Sequence, residues 1–201
     1  MIFSTLFYLV PTPDVGLDRS VTVPDRKDRI LTPAGCQQAL QWVRVLKHRK
    51  PVAIYTSPNI SALALAVKLG GGDVPVAMRN QLKERDYGSW AGQPWRDIRR
   101  DYMAYENYCE DPDFAPPGGE SYRQAGDRAA ELLQSLAWTG DRVILVGHPE
   151  INQALLAWVM QLPWDRTCEL ADIAAQITMI RFAQDRFEVK QLSGDFTLTT
   201  T

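Results

Sequence analysis

The stretch Val143-Ile144-Leu145-Val146-Gly147-His148-Pro149-Glu150 decides the fold. Its first four residues are apolar and mostly β-branched, the pattern of a strand covered on both faces, as in a parallel sheet. An amphipathic segment from Glu150 to Gln161 follows, so His148 stands where a strand hands over to a helix. Pro149 suits the first helical turn, where a missing N–H costs nothing, and the free N–H groups of that turn point into the same crevice as the His148 ring. In open α/β sheets ligands bind in that crevice, at the carboxyl ends of the strands. A histidine at a strand end is also a common structural hydrogen-bonding residue, so the rest of the chain must decide its role.

Working outward, Phe3 to Val10 reads as a buried strand, ended by Pro11-Thr12-Pro13, where two missing N–H groups forbid a ladder. Val15 to Ile30 is polar, with charges of both signs, and reads as a surface loop. Thr32 and Pro33 open a helix as N-cap and first residue, and Ala39, Leu40, Trp42, Val43 and Leu46 form its apolar stripe. Val52 to Thr56 is a second buried strand, closed by Ser57-Pro58, and Ala62 to Leu69 a helix ending at Gly70-Gly71-Gly72. Val74 to Met78 carries a proline and fits an edge strand.

Leu82 to Gly92 is a charged, aromatic loop, followed by a helix from Trp95 to Tyr105 and a proline- and glycine-rich loop from Cys109 to Gly119. Glu120 to Ala137 is helical. Ile173 to Phe182 and Arg186 to Leu192 alternate as two strands joined at Gln184-Asp185, a C-terminal hairpin, and Thr197 to Thr201 is a frayed end. Strands alternating with helices predict an α/β fold, a three-layer α/β/α sandwich with a mostly parallel central sheet, in one domain spanning 1–201. Phe3–Val10, Val52–Thr56 and Arg142–Gly147 are expected side by side in that sheet.

Composition narrows the function classes. With 45% hydrophobic and 23% charged residues and a net charge of -2, the chain reads as a soluble cytoplasmic protein with no footprint for nucleic acid or a membrane surface. The densest basic run, Lys47-His48-Arg49-Lys50, reads as a solvated helix end. Three cysteines, odd in number and far apart, fit reduced thiols. The apolar start, Met1 to Val10, has no basic leader and no cleavage site, and is taken as part of the mature fold. Two distant histidines and three unspaced cysteines suggest no metal site, and no cofactor is expected.

Several motifs, in order over nearly the whole chain, carry a resemblance. Leu31-Thr32-Pro33-Ala34-Gly35-Cys36-Gln37-Gln38-Ala39 is similar to "L-T-x-x-G-x-x-Q-A", and Tyr55-Thr56-Ser57-Pro58 with Ala62 and Ala66 to "Y-S-S-P-x-x-R-A-x-x-T-A". Leu82 to Gly92 looks like "L-x-E-x-x-x-G-x-W-x-G", Pro116 to Ser121 like "P-P-G-G-E-S", and Val146-Gly147-His148 stands where "V-S-H-G" is expected. On these residues the chain resembles the histidine phosphatase superfamily and implies a phosphoglycerate mutase-like fold. The family's reaction uses a nucleophilic histidine after the first strand, in "L-V-R-H-G-E", with two arginines and a second histidine around the phosphoryl group and a glutamate as general acid.

The resemblance fails at the nucleophile. Pro11 stands for the first arginine, Thr12 for the histidine and Ser61 for the second arginine, and only Glu84 and His148 match the family's catalytic positions. His48 lies on the basic helix end, so no second imidazole is available for a phosphohistidine relay. A threonine hydroxyl is a poor nucleophile without an adjacent base, and its phosphate ester would be stable. Losing two guanidinium groups removes two bidentate phosphate contacts. Arg85 and Tyr87, beside Glu84, are candidates for ligand binding, although a surface salt bridge and a packed aromatic explain them as well. Ser57 reads as a cap for the next helix.

These substitutions lead to the expectation of a pseudoenzyme, a non-catalytic protein that binds a protein partner or a small ligand. The alternative is a weak or altered phosphatase-like hydrolase that uses Glu84 and His148 on an activated water, without a phosphohistidine intermediate. A structural role in a homo-oligomer, such as a homodimer, is the third reading.

Overall fold

The computed structural model describes residues 3–191. It contains six strands in one sheet: β1 Thr5–Pro11, β2 Ala53–Thr56, β3 Val76–Met78, β4 Arg142–Gly147, β5 Thr178–Ala183 and β6 Arg186–Gln191. The helices are α1 Pro33–Leu46, α2 Ile60–Gly70, α3 Trp95–Ile98, α4 Tyr102–Glu110, α5 Tyr122–Ser135, α6 Pro149–Met160 and α7 Ala171–Ala174. The strand order is β3-β2-β4-β1-β5-β6. The first four strands run parallel, and β5 and β6 add an antiparallel edge. The three strands expected side by side are neighbours, with β4 between β2 and β1.

Alternation of side chains along the parallel strands builds two cores, one on each face of the sheet. Phe7, Leu9, Val143 and Leu145 pack with Ala129, Leu133, Ile151 and Leu155 of α5 and α6. Tyr8, Val10, Ile144 and Val146 pack with Ala39, Trp42, Ala62 and Leu65 of α1 and α2. This is why β1 and β4 read as unbroken apolar runs: both faces are covered. No helix among the described residues is long and apolar enough to cross a membrane. Cys36, Cys109 and Cys168 are free and exposed.

Local chemistry sets the ends of these elements. Thr32 caps α1, its side chain accepting from the Gly35 N–H, and Pro33 follows at the first position. Ser121 and Gln124 form a capping box at the start of α5. The hairpin residues Gln184 and Asp185 both take left-handed backbone, as a two-residue turn between twisted strands requires.

Three expectations change. The helix from Trp95 to Tyr105 is broken into α3 and α4, because Asp101 accepts from the Ala104 N–H and starts a new helix, which then runs on through Cys109. Ile173 and Ala174 belong to α7, and the strand begins only at Thr178, whose hydroxyl donates to the Ile173 carbonyl. The polar segment from Val15 to Ile30 is more than a surface loop. Val23 is fully buried and bonds through its backbone to Gln93 and Gly92, closing a third cluster with Tyr87, Trp90 and Ile98. The frayed end at Thr197 to Thr201 lies outside the described residues, as does Leu192.

Candidate active site

Parallel strands present their carboxyl ends at one edge of the sheet, so the residues just after β1, β2 and β4 meet there. Thr12, Ser57 and His148 are those residues, and Thr12 is tied to the edge by its N–H and its hydroxyl, each 2.7 Å from the Gly147 carbonyl. Thr12 and His148 border a cleft of about 270 Å³ whose walls also include Pro11, Ser61 and Glu84, with Ser57 behind the His148 ring. The retained family positions and the substituted ones therefore converge.

His148 is 3% exposed, and both ring nitrogens have defined surroundings. Nε2 lies 3.0 Å from Ser57 Oγ. Ser57 spends its own proton on the Asn59 side-chain oxygen at 2.9 Å, so it accepts from an Nε2–H. That tautomer leaves Nδ1 as a bare acceptor on the cleft side, 3.5 Å from Thr12 Oγ1 and 3.9 Å from Glu84 Oε2. Burial, reinforced by Arg19, Arg128 and Arg26, lowers the His148 pKa to about 3, so the ring is neutral at physiological pH. Ser57 thus serves the histidine, whereas the N-cap of α2 is Asn59.

Glu84 is 4% exposed and ion-paired with Arg19. Burial pushes its carboxyl above the usual carboxylate range, and the opposing Arg19 charge does not cancel the effect. Its backbone is clamped: the Glu84 carbonyl accepts from Arg26 Nε at 2.8 Å and from Arg128 Nη2 at 3.3 Å. Both arginines are anchored on Glu120, at 2.9 and 2.7 Å, and Glu120 also accepts from the Asp86 N–H. The similarity between Pro116–Ser121 and the family's glycine-rich motif thus has a structural meaning here, since it carries the carboxylate that holds the Glu84 loop in place.

The residues that sequence reading missed come from the loop between Val15 and Ile30. Arg19, Lys27 and Arg29 all line the cleft. Lys27 and Arg29 lie around the buried Asp25, with Lys27 Nζ 3.7 Å from its carboxylate and Arg29 ion-paired to it. Cationic side chains thus surround a cleft whose family arginines are replaced by Pro11 and Ser61. Their signal in the sequence was a loop of mixed charge after the first strand, which composition alone does not separate from an ordinary solvated segment.

Arg85 and Tyr87 do not line this cleft. Arg85, 3% exposed, ion-pairs with Glu150 at 3.2 Å, donates to the Glu120 carbonyl at 3.1 Å, and lies over the rings of Tyr87 and Tyr108. The Tyr87 hydroxyl donates to Glu150 at 2.8 Å. Neither a surface salt bridge nor a contact in the His148 cleft describes Arg85: it is buried, and it lines a different pocket with Glu150 and Tyr108. Trp90 and Trp95 pack in the aromatic cluster with Tyr87 and Tyr108.

Comparison with known proteins follows the same pattern. The profile of the histidine phosphatase superfamily, branch 1, matches residues 18–194. The glucosyl-3-phosphoglycerate phosphatase of Mycolicibacterium vanbaalenii is 33% identical over 149 residues, 69% of this chain and 66% of that protein, so the match spans just under two thirds of the relative's length. A metal-independent phosphoserine phosphatase of Arabidopsis thaliana is 30% identical over 65% of this chain and 58% of its own. Among solved structures, Bacillus stearothermophilus YhfR superposes with a TM-score of 0.82 at 26% identity, covering 93% of this chain and 96% of its own. The expectation of a non-catalytic binding protein is overturned by relatives that bear the names of phosphatases, and it had rested on side-chain losses at three positions while the loop cations were out of sight. The fold, the motif order and the matched span agree, and this chain belongs to the histidine phosphatase superfamily.

Proposed function

We propose that the chain is a phosphatase-like hydrolase that cleaves a phosphate monoester by direct attack of water. One observation carries this reading: a single cleft brings together a neutral imidazole nitrogen, a buried carboxyl and three cationic side chains, Arg19, Lys27 and Arg29. The names of the glucosyl-3-phosphoglycerate and phosphoserine phosphatases among its relatives support hydrolysis of a small phosphate ester.

In this mechanism His148 Nδ1 takes a proton from water as its oxygen forms the new bond to phosphorus. The bond from phosphorus to the ester oxygen breaks, and the departing alkoxide takes the proton of the Glu84 carboxylic acid, which yields inorganic phosphate and an alcohol. Thr12 is no nucleophile, because its hydroxyl proton is committed to the Gly147 carbonyl. The loop cations balance the charge on the transferring group. Raised by burial, Glu84 can hold the proton that a general acid needs. A base with a pKa as low as that of His148 abstracts protons weakly, so turnover is slow compared with an enzyme whose base is matched to neutral pH.

The test is hydrolysis of glycerol 2-phosphate, whose alkoxide needs a proton in order to leave, by the wild type, His148→Ala and Glu84→Gln. Each substitution is expected to lower kcat by about 100-fold or more, the usual contribution of a positioned acid or base. Wild-type protein without turnover, or variants that retain it in full, would overturn the reading.

A further inference from the structure

Arg19 has two competing partners in this cleft, and only one of them is part of the protein. Its guanidinium is paired with Glu84, yet a third of the side chain is exposed and it lines the same cleft as His148. The Arg19 carbonyl is held by Trp95 Nε1 at 2.9 Å, so the backbone is anchored while the side chain can turn. The other charges near Glu84 have closer partners of their own, and of these only Arg29 also favours the Glu84 carboxylate through space. Arg29 and Lys27 lie on Asp25, while Arg26 and Arg128 bind the Glu84 carbonyl and are neutralised by Glu120, with Asp86 also on Arg26. From α6, Glu150 adds a like charge that disfavours the Glu84 carboxylate, and His148 Nδ1 at 3.9 Å is neutral. Arg19 is therefore the cation in contact with the Glu84 carboxylate and the strongest influence that keeps it charged, with Arg29 a weaker one.

We propose that a tetrahedral dianion entering the cleft draws Arg19 away from Glu84, and that Glu84 takes up one proton as Arg19 leaves, so that anion binding itself produces the general acid. The inference rests on the hydrolase reading for its purpose, and on the cleft's geometry for its content. It assigns Arg19 as an anion ligand in place of the arginines that Pro11 and Ser61 replace. No bond is made or broken in the step beyond the proton gained by Glu84 from solvent. A buried carboxylate that loses its counterion beside a new negative charge has two reasons to protonate, namely desolvation and like-charge repulsion. The coupling also explains why an arginine sits on the residue that must act as an acid: it keeps the empty site charge-balanced and gives way when substrate arrives.

Sulfate tests this cleanly, because it is a dianion throughout the relevant pH range and brings no proton of its own. Calorimetric titration of sulfate at constant ionic strength, in two buffers of different ionisation enthalpy, measures the protons taken up. The wild type is expected to gain about one proton per sulfate near neutral pH, with affinity weakening about tenfold per pH unit. Glu84→Gln should bind sulfate with no proton uptake and no pH dependence. Arg19→Gln should weaken sulfate at least tenfold and lose most of the uptake, whereas Arg19→Lys, which keeps the charge, should recover a measurable part of both. Thermal melts confirm that each variant is folded, and Arg19→Lys carries the test if Arg19→Gln is not.

Sulfate bound without proton uptake, uptake that survives in Glu84→Gln because His148 is the acceptor, or no sulfate binding at all would each overturn the proposal. The two readings fail separately. Turnover of glycerol 2-phosphate with no coupled proton leaves the hydrolase standing and removes the exchange, while coupled sulfate binding without turnover does the reverse.

Discussion

His148 Nε2 lies 3.0 Å from Ser57 Oγ, and this one contact fixes which nitrogen of the ring faces the cleft. The two residues are 91 positions apart and both are buried. Ser57→Ala should leave the Nε2–H without a partner, costing roughly 1–3 kcal/mol of stability in urea unfolding. It should also lower kcat more than it changes KM, since the free ring can adopt the wrong tautomer. An unchanged kcat would show that the tautomer does not matter.

The depressed pKa of His148 makes stability depend on acid. The native ring binds a proton only near pH 3, whereas the unfolded ring does so near 6.5. Between these values the unfolded state holds more protons, so stability is greatest above pH 6.5 and falls as pH drops toward 3. One proton corresponds to about 1.4 kcal/mol per pH unit, so the wild type should lose roughly 2 kcal/mol relative to His148→Asn between pH 6.5 and 5. Urea unfolding of both proteins across that range is the check; parallel pH profiles would contradict it.

Glu84 shifts in the opposite sense. Its raised pKa means that the folded state favours the protonated form, so its stabilising effect is present below the unfolded value of 4.5 and is lost as pH rises through the folded value. Glu84→Gln should therefore gain stability relative to the wild type on going from pH 4 to pH 8, read from melting temperatures. In turnover, the same group should give an alkaline fall in kcat that is absent in Glu84→Gln.

Arg85 is predicted to matter for folding. Arg85→Ala would strand Glu150 and its Tyr87 partner in a mostly dry site, and breaking such a buried pair costs about 3–5 kcal/mol. Chemical denaturation should show that loss, with the KM of the remaining folded enzyme little changed. A KM effect without a stability effect would instead make Arg85 a ligand contact.

Gly88 has positive φ, +51°, and a Cβ there would fall 2.2 Å from the Pro117 carbonyl oxygen. Gly88→Ala should destabilise the protein by about 1–3 kcal/mol, because both the backbone conformation and the close approach of the two loops are violated. The melting temperature reads this directly, and an unchanged value would mean that the loops can separate freely.

The site was partly visible in the residues themselves. His148, Glu84, Thr12, Pro11 and Ser61 could be placed at one edge because strand ends and helix starts are local signals, and the structure gathers these residues around one cleft. The cations were not visible. Arg19, Lys27 and Arg29 sit in a segment without periodicity, and nothing in its composition shows that Val23 anchors it in the aromatic cluster. Arg85 was misplaced for a related reason: next to Glu84 in sequence, it pairs with a residue 65 positions away.

By itself, the sequence determined the backbone plan. Short apolar runs closed by turn residues fit strands covered on both faces, caps and prolines mark where helices begin, and together these point to a sandwich with its ligand edge after β1 and β4. The tertiary structure alone decided the chemistry of that edge: which nitrogen of His148 is free, which arginine neutralises Glu84, and which acidic partner takes Arg85 out of the cleft. Those outcomes depend on burial and on charges brought together across 58 to 91 residues of chain. Hydrogen bonding and desolvation act through space, and no local pattern records their distances.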